Sequence, residues 1–178
     1  MKKLEIKWMS LMKKQSLILN SFLIAFFFIN LSSHSAERIK SISGKAKVID
    51  GDTIKLQGQN IRLRGIDAPE KNQLCIKKAK TYNCGITSTK ALKKYIGREL
   101  IRCEYFTKDR YGRILGTCNL LGSTKLSLNS YMVYTGNAVA YLRYSKEYID
   151  EEKWAKENQL GMWQGNFERP EVWRKKYK

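Results

Sequence analysis

The sequence predicts a small α+β domain: about five short strands closing into a barrel, capped by two or three helices. From Lys45 onward, short stretches alternate apolar and polar side chains and are broken by glycine and asparagine. That is the pattern of half-buried strands joined by tight turns. Two further segments instead space their apolar residues as a helix does. The 178 residues, 43% apolar with only two prolines, suffice for one well-cored domain and fit neither a disordered chain nor collagen nor a coiled coil.

Residues 1–36 stand apart. Lys13 and Lys14 precede the mostly apolar run Leu17–Leu31, and SSHSA leads from it to Glu37 and Arg38. A positive start, an apolar middle and small residues at the end read as a signal peptide cleaved after Ser35 or Ala36, with Met12 as an alternative start. The run is also long enough to stay as an N-terminal membrane anchor. The chain is therefore expected to be exported, either periplasmic or secreted, or held at a membrane by its N-terminus.

The body of the chain is a domain over residues 37–165. Lys45–Asp67 reads as a three-stranded meander, and Ala68–Cys84 as a polar, lysine-rich loop opened by Pro69. Residues 86–97 form a helix with Ile86, Leu92, Tyr95 and Ile96 inward and lysines outward. ELIRCEYF and RILGTCNL, joined by TKDRYG, make a hairpin. A short strand at Lys125–Leu128 enters a small helix stopped by Gly136, and Asn137–Tyr144 is a further strand. Ser145 caps a helix that presents Tyr148, Trp154 and Ala155 to the core and ends at Gly161. Residues 166–178 are a loosely docked, basic C-terminal extension.

Charge narrows the partner. Lys and Arg number 34 against 16 Asp and Glu, a formal +18; without residues 1–35 the balance is 29 against 15, or +14. Such an excess suits a polyanion, nucleic acid or an anionic surface. The one histidine, His34, lies in the leader. A mature chain without histidine has no Ser-His-Asp triad, Cys-His dyad, histidine-pair ribonuclease mechanism or His-ligated zinc. Catalysis would fall to carboxylates, arginines, lysines, tyrosines or an oxygen-bound metal.

Four cysteines remain, Cys75, Cys84, Cys103 and Cys118, an even number that reads as disulfides in an exported chain. A hairpin turning at Arg110 and Tyr111 places Cys103 opposite Cys118, within bridging distance. Cys75 and Cys84 then close a short loop. Free thiols or a Cys-ligated zinc are the alternatives, although no CxxC spacing occurs.

Chemistry concentrates where strands end. Asp50-Gly51-Asp52-Thr53 and Asp67-Ala68-Pro69-Glu70 flank neighbouring strands. Antiparallel pairing would bring Asp52 towards Asp67, and two carboxylates with a backbone carbonyl and water suit a hard divalent cation. An EF-hand is excluded because Ile61 stands where its final acid belongs. Singly, Asp-Gly is also a plain turn and Asp-Ala-Pro a plain strand exit. Arg62 and Arg64 share a strand face, and Asp109–Arg113 forms a hairpin tip. Guanidinium groups clasp a phosphodiester and neutralise charge growing on phosphorus, although each arginine singly also reads as a surface ion-pair partner. Glu70 is spaced to take a proton from an attacking water. Together these residues compose a histidine-free phosphodiesterase.

VIDGDT, RLRGIDAPE and DRYGR, in this order, resemble the thermonuclease (staphylococcal nuclease-like) family over Ser43–Trp163. The resemblance implies a five-stranded OB-type β-barrel with about three helices, and a Ca²⁺-dependent endonuclease that cuts DNA and RNA to leave 3′-phosphate ends. It implies calcium on Asp52, Asp67 and the Ala68 carbonyl, catalytic Arg62, Glu70 and Arg113 with Glu70 as base, and no catalytic role for Arg64. Arg110 and Tyr111 fall where the family contacts a terminal phosphate, and Tyr141 and Tyr144 where it contacts bases or phosphates. Ala68 departs from the family's threonine, which a backbone contact tolerates. The cysteines lack counterparts in the best-known member, and the loop after Glu70 and the hairpin before Asp109 differ in length, which bears on substrate preference. No obligate protein partner is implied, and a monomer is expected. A nucleic-acid-binding barrel that has lost catalysis is the alternative function; the complete acid–arginine set argues against it. A cationic envelope or adhesion protein would show scattered lysines without acid clusters.

Overall fold

Alternating burial builds the sheet: in Thr53–Leu56 the side chains of Ile54 and Leu56 go inward while Lys55 faces solvent. The computed structural model describes residues 39–177, so the leader or anchor, Met12 and His34 lie outside the described residues. The strands are β1 (Lys40–Gly44), β2 (Ala46–Val48), β3 (Thr53–Leu56), β4 (Gln59–Leu63), β5 (Ile66–Asp67), β6 (Leu74–Lys77), β7 (Lys80–Asn83), β8 (Ile101–Lys108), β9 (Ile114–Leu120) and β10 (Val139–Ala140). The main sheet runs β1-β8-β9-β4-β3-β2. Within it β4 and β9 are parallel and the other pairs antiparallel.

The two outer strands of this sheet are consecutive in the chain, with Lys45 alone between them. A chain that leaves one edge and joins the other within one residue must curl the sheet onto itself. Counted as one bent strand, β1 and β2 complete the five-stranded OB-type barrel that the family resemblance implies, and closure removes the exposed edges. Its interior is filled by Ile54, Leu56, Ile61, Leu63, Ile101, Ile114 and Leu120.

Among the described residues the α-helices are α1 (Cys84–Ile96), α2 (Leu128–Tyr134), α3 (Ile149–Glu157) and α4 (Pro170–Tyr177). Asn83 caps α1 by accepting the Ile86 N–H, so the helix starts two residues before the predicted position. Its buried stripe is Cys84, Ser88, Leu92 and Ile96, at a spacing of four, and Ile86 falls off that stripe and is exposed. Lys125–Leu128 is not a strand, because Ser127 accepts the Ser130 N–H and starts α2 there. Only Val139–Ala140 of the predicted 137–144 strand pairs, with β5; the Tyr141 carbonyl then accepts the N–H groups of Tyr144 and Ser145 and turns the chain. Ser145 accepts from Glu147 and does not cap α3, which begins after Tyr148, and Gly161 opens a separate 3₁₀ turn. Trp154 is half exposed and stacks on Tyr134.

The lysine-rich loop folds into the β6–β7 hairpin, with Cys75 bonded to Cys84. Cys103 pairs in register with Cys118 and bonds to it across a Cα–Cα distance of 4.0 Å. Both predicted disulfides are therefore present. A bulge between Tyr105 and Lys108 shifts the register by one residue towards the hairpin tip. Among the described residues no helix is long and apolar enough to cross a membrane.

Candidate active site

The 50–52 turn sets the floor of the site. Asp50 Oδ1 accepts the Asp52 N–H at 3.1 Å, a self-closing aspartate turn. A Cβ on Gly51 would lie 2.0 Å from Ser88 Oγ and 2.6 Å from the Ala68 methyl, so glycine alone lets the turn press against α1 and the Asp67 segment. Asp52 is nearly inaccessible and accepts the Thr53 hydroxyl at 3.1 Å and the Ala68 N–H at 2.8 Å. Asp67 ends β5, paired with Val139, and is 1% exposed.

Arg62, on β4, lies between these two carboxylates. One of its amino nitrogens pairs with Asp52; the other donates to Asp67 Oδ1 at 2.8 Å and to the Ile66 carbonyl at 3.3 Å. Burial pushes its guanidinium below the ordinary value, Asp67 opposes this, and the nearby positive charge of Arg113 adds to it. Burial pushes the Asp50 carboxyl up, with Arg62 pulling it back and Glu70 adding to the rise. The two predicted metal aspartates and the first predicted catalytic arginine thus form one cluster.

Arg113 reaches the cluster through topology. It directly precedes β9, whose Ile114 lies beside Ile61 in the parallel pair. Asp109 aims it, with the Arg113 Nε donating to Asp109 Oδ2 at 2.7 Å while Oδ1 accepts the N–H groups of Tyr111 and Arg113. Burial would raise the Asp109 carboxyl, but these bonds prevail and hold it below the usual carboxylate value. Glu70 stands in a turn closed by Gln73: its N–H donates to Gln73 Oε1 at 3.2 Å and its carbonyl accepts the Gln73 N–H at 2.8 Å. A Cβ on Gly85 would fall 1.9 Å from the Glu70 carbonyl oxygen, so the first turn of α1 seats directly on Glu70.

The sequence model of the family described as staphylococcal nuclease homologue matches residues 60–165, which includes Arg62, Asp67, Glu70 and Arg113. The chain belongs to this family. Among its relatives are a succinoglycan biosynthesis protein of Rhizobium meliloti, 37% identical over 75% of this chain and 70% of its own length. An uncharacterised endonuclease of Haemophilus influenzae is 30% identical over 94% of this chain and 89% of its own. A probable staphylococcal-like nuclease of rice is 32% identical over 70% of this chain but 30% of its own length.

In this staphylococcal nuclease homologue, Tyr141 lies near Asp67, and Arg110 and Tyr111 sit with Arg113 at the hairpin tip. Tyr111 is 68% exposed at the hairpin tip, with the Arg110 guanidinium 4.8 Å and that of Arg113 5.6 Å from its ring centre. Tyr141 is half-buried; burial and the Asp67 charge push its phenol up. Tyr144 meets Tyr141 edge-on at 4.8 Å and is 70% exposed. Arg64 pairs with Glu147 at the surface, 2.7 Å away.

Sequence reasoning missed Arg174, which α4 carries into the site. Its two amino nitrogens donate to the two oxygens of Asp67 at 2.8 and 2.9 Å, and one also donates to Glu70 at 3.2 Å. Burial opposes its charge, but the bonds to Asp67 and Glu70 prevail and raise its guanidinium above the ordinary value. Nothing in the single sequence separates Arg174 from its basic neighbours in WRKKYK. Arg169 was missed too; it bonds to Glu152 and to the Ala140 carbonyl and seats the start of α4. Fully buried Gln73 donates to the Glu168 carbonyl at 2.7 Å and ties the Glu70 turn to the same segment.

Asp52, Asp67 and the backbone carbonyl of Ala68 are hard oxygen donors and fit an oxygen-seeking divalent cation in chemistry. Among the described residues no group of three or more acidic, histidine or cysteine side chains is gathered for a metal. The candidate donors are thus two carboxylates and a backbone carbonyl, and guanidinium groups neutralise both aspartates.

Proposed function

We propose that this chain is an exported, Ca²⁺-dependent endonuclease that hydrolyses phosphodiester bonds of DNA and RNA and leaves 3′-phosphate ends. The observation that carries this is the convergence of Arg62, Asp52, Asp67 and Glu70 with Arg113 beside them, on a strongly basic chain without histidine outside residues 1–38. The endonuclease and nuclease names of its relatives support it, as do two disulfides of the kind exported proteins keep.

In this reading Glu70 takes a proton from water, whose oxygen attacks phosphorus. The bond to the 5′-oxygen breaks, that oxygen takes up a proton, and the phosphate stays on the 3′-oxygen. Arg62 and Arg113 meet the extra negative charge on the phosphoryl oxygens as the transition state forms. Calcium, held by Asp52, Asp67 and the Ala68 carbonyl, would supply Lewis-acid neutralisation of the phosphate. Arg110, Tyr111, Tyr141 and Tyr144 bind the nucleotide. The catalytic domain is assigned to residues 37–165, followed by the basic 166–178 extension, and a monomer suffices.

Replacing Glu70 with glutamine tests the assignment of the base. The expected result is a loss of turnover of about 10²–10⁴-fold, with oligonucleotide affinity and melting temperature nearly unchanged. Turnover equal to the parent's would remove Glu70 from the mechanism.

A further inference from the structure

Arg174 takes no part in the reaction just described, yet it makes three hydrogen bonds to two of the groups that would carry it. It grips Asp67 by both oxygens, and Oδ1 already accepts from Arg62 at 2.8 Å. A carboxylate offers about four lone-pair sites, so little of Asp67 is left for another cation. Asp67 is almost wholly shielded from solvent and Arg174 largely so. Repulsion between the guanidinium and a second positive charge on Asp67 would therefore be weakly screened. Arg174 is mounted on α4, whose base is anchored by Arg169 and by the contact of Gln73 with Glu168. The outer lysines of α4, Lys175 and Lys176, pair with Glu171 and Glu168 of its own segment. Beyond its base, α4 is tied to the carboxylate cluster by the Arg174 fork, and at the surface Glu171 pairs with Arg143 at 3.5 Å.

We propose that Arg174 is a positioning residue that sets the affinity of the site for its divalent cation: a tethered guanidinium that neutralises Asp67 and steadies Glu70, and that must leave Asp67 when the cation binds. Cation binding and docking of α4 then compete. The inference rests on the assignment of Asp52 and Asp67 as cation ligands. The contest needs no substrate and is read directly as binding.

The test is calorimetric titration of the metal-stripped, disulfide-bonded protein with calcium chloride, for the parent, Arg174→Gln and Arg174→Lys. Hydrogen exchange of residues 170–177 is followed in the parent along the same titration. Losing a charge-assisted fork should tighten calcium binding by about tenfold or more in Arg174→Gln. Lysine, which keeps the charge but not the fork, should fall between. In the parent, calcium should lower the exchange protection of α4. Equal calcium affinity in parent and Arg174→Gln, or unchanged protection of α4 in the parent, would overturn the proposal. Adding Asp67→Asn to each background separates the two ideas. If it abolishes binding while Arg174→Gln has no effect, the cation site stands and the role of Arg174 falls. If it leaves binding intact, the ligand assignment falls and the role of Arg174 with it.

Discussion

At the Arg62 guanidinium three demands meet: two nearly inaccessible carboxylates face it, Arg113 adds like charge, and burial works against its ionisation. Such an arrangement is costly unless the groups remain paired, and Asp52 and Asp67 supply those pairs. The sequence disclosed Arg62, Asp52, Asp67, Glu70 and Arg113 because each sits in a short motif at a strand end. Arg174 was hidden because its partners are 104 and 107 residues away in the chain. Asp109 gives a test at the same scale. Its carboxyl is held below the usual value of 3.8, so its contribution to stability is complete above that pH and fades as pH falls through the folded-state value. Asp109→Asn should therefore melt earlier than the parent at neutral pH, with the gap closing in acid, below the usual carboxylate range. A gap that persists into acid would show that the Arg113 contact does not stabilise the tip through charge.

Among the elements, the β8–β9 hairpin was the most legible. Alternation fixed which faces point inward, and a turn at Arg110–Tyr111 placed Cys103 opposite Cys118. The bulge near the tip was invisible, since the pairing rule has no term for an inserted residue. The β6–β7 hairpin was missed because its lysines mask any apolar alternation, and its form depends on the Cys75–Cys84 bond and the bridge from Ile76 to Asn166. Residues 137–144 were read as a longer strand because apolar composition does not show where a partner strand ends, and β5 has only two residues. Replacing Cys103 and Cys118 together by alanine should cost about 3 kcal/mol for a crosslink spanning 15 residues. Chemical denaturation under oxidising conditions measures this. An unchanged midpoint would mean that register and packing alone hold the barrel.

For the molecule as a whole, closure of the barrel through Lys45 escaped the sequence reading, because that reading began its first strand at Lys45 and did not include β1. The positive charge was legible throughout, and it makes a prediction of its own. Binding of a long single strand should weaken steeply with salt, with log K linear in log salt and a slope of about −0.7 for each phosphate neutralised. A slope near zero, measured by titration with a fluorescent oligonucleotide, would mean that the charge does not serve substrate binding. The central claim is that the cluster around Arg62 hydrolyses phosphodiesters with calcium and leaves the phosphate on the 3′ side. The most direct measurement incubates the protein from Glu37 onward, with its disulfides formed, with single-stranded DNA in millimolar calcium or in excess chelator, and identifies the product ends. The account predicts cleavage with calcium alone and 3′-phosphate ends. Binding without cleavage in both conditions, or products carrying 5′-phosphates, would contradict it.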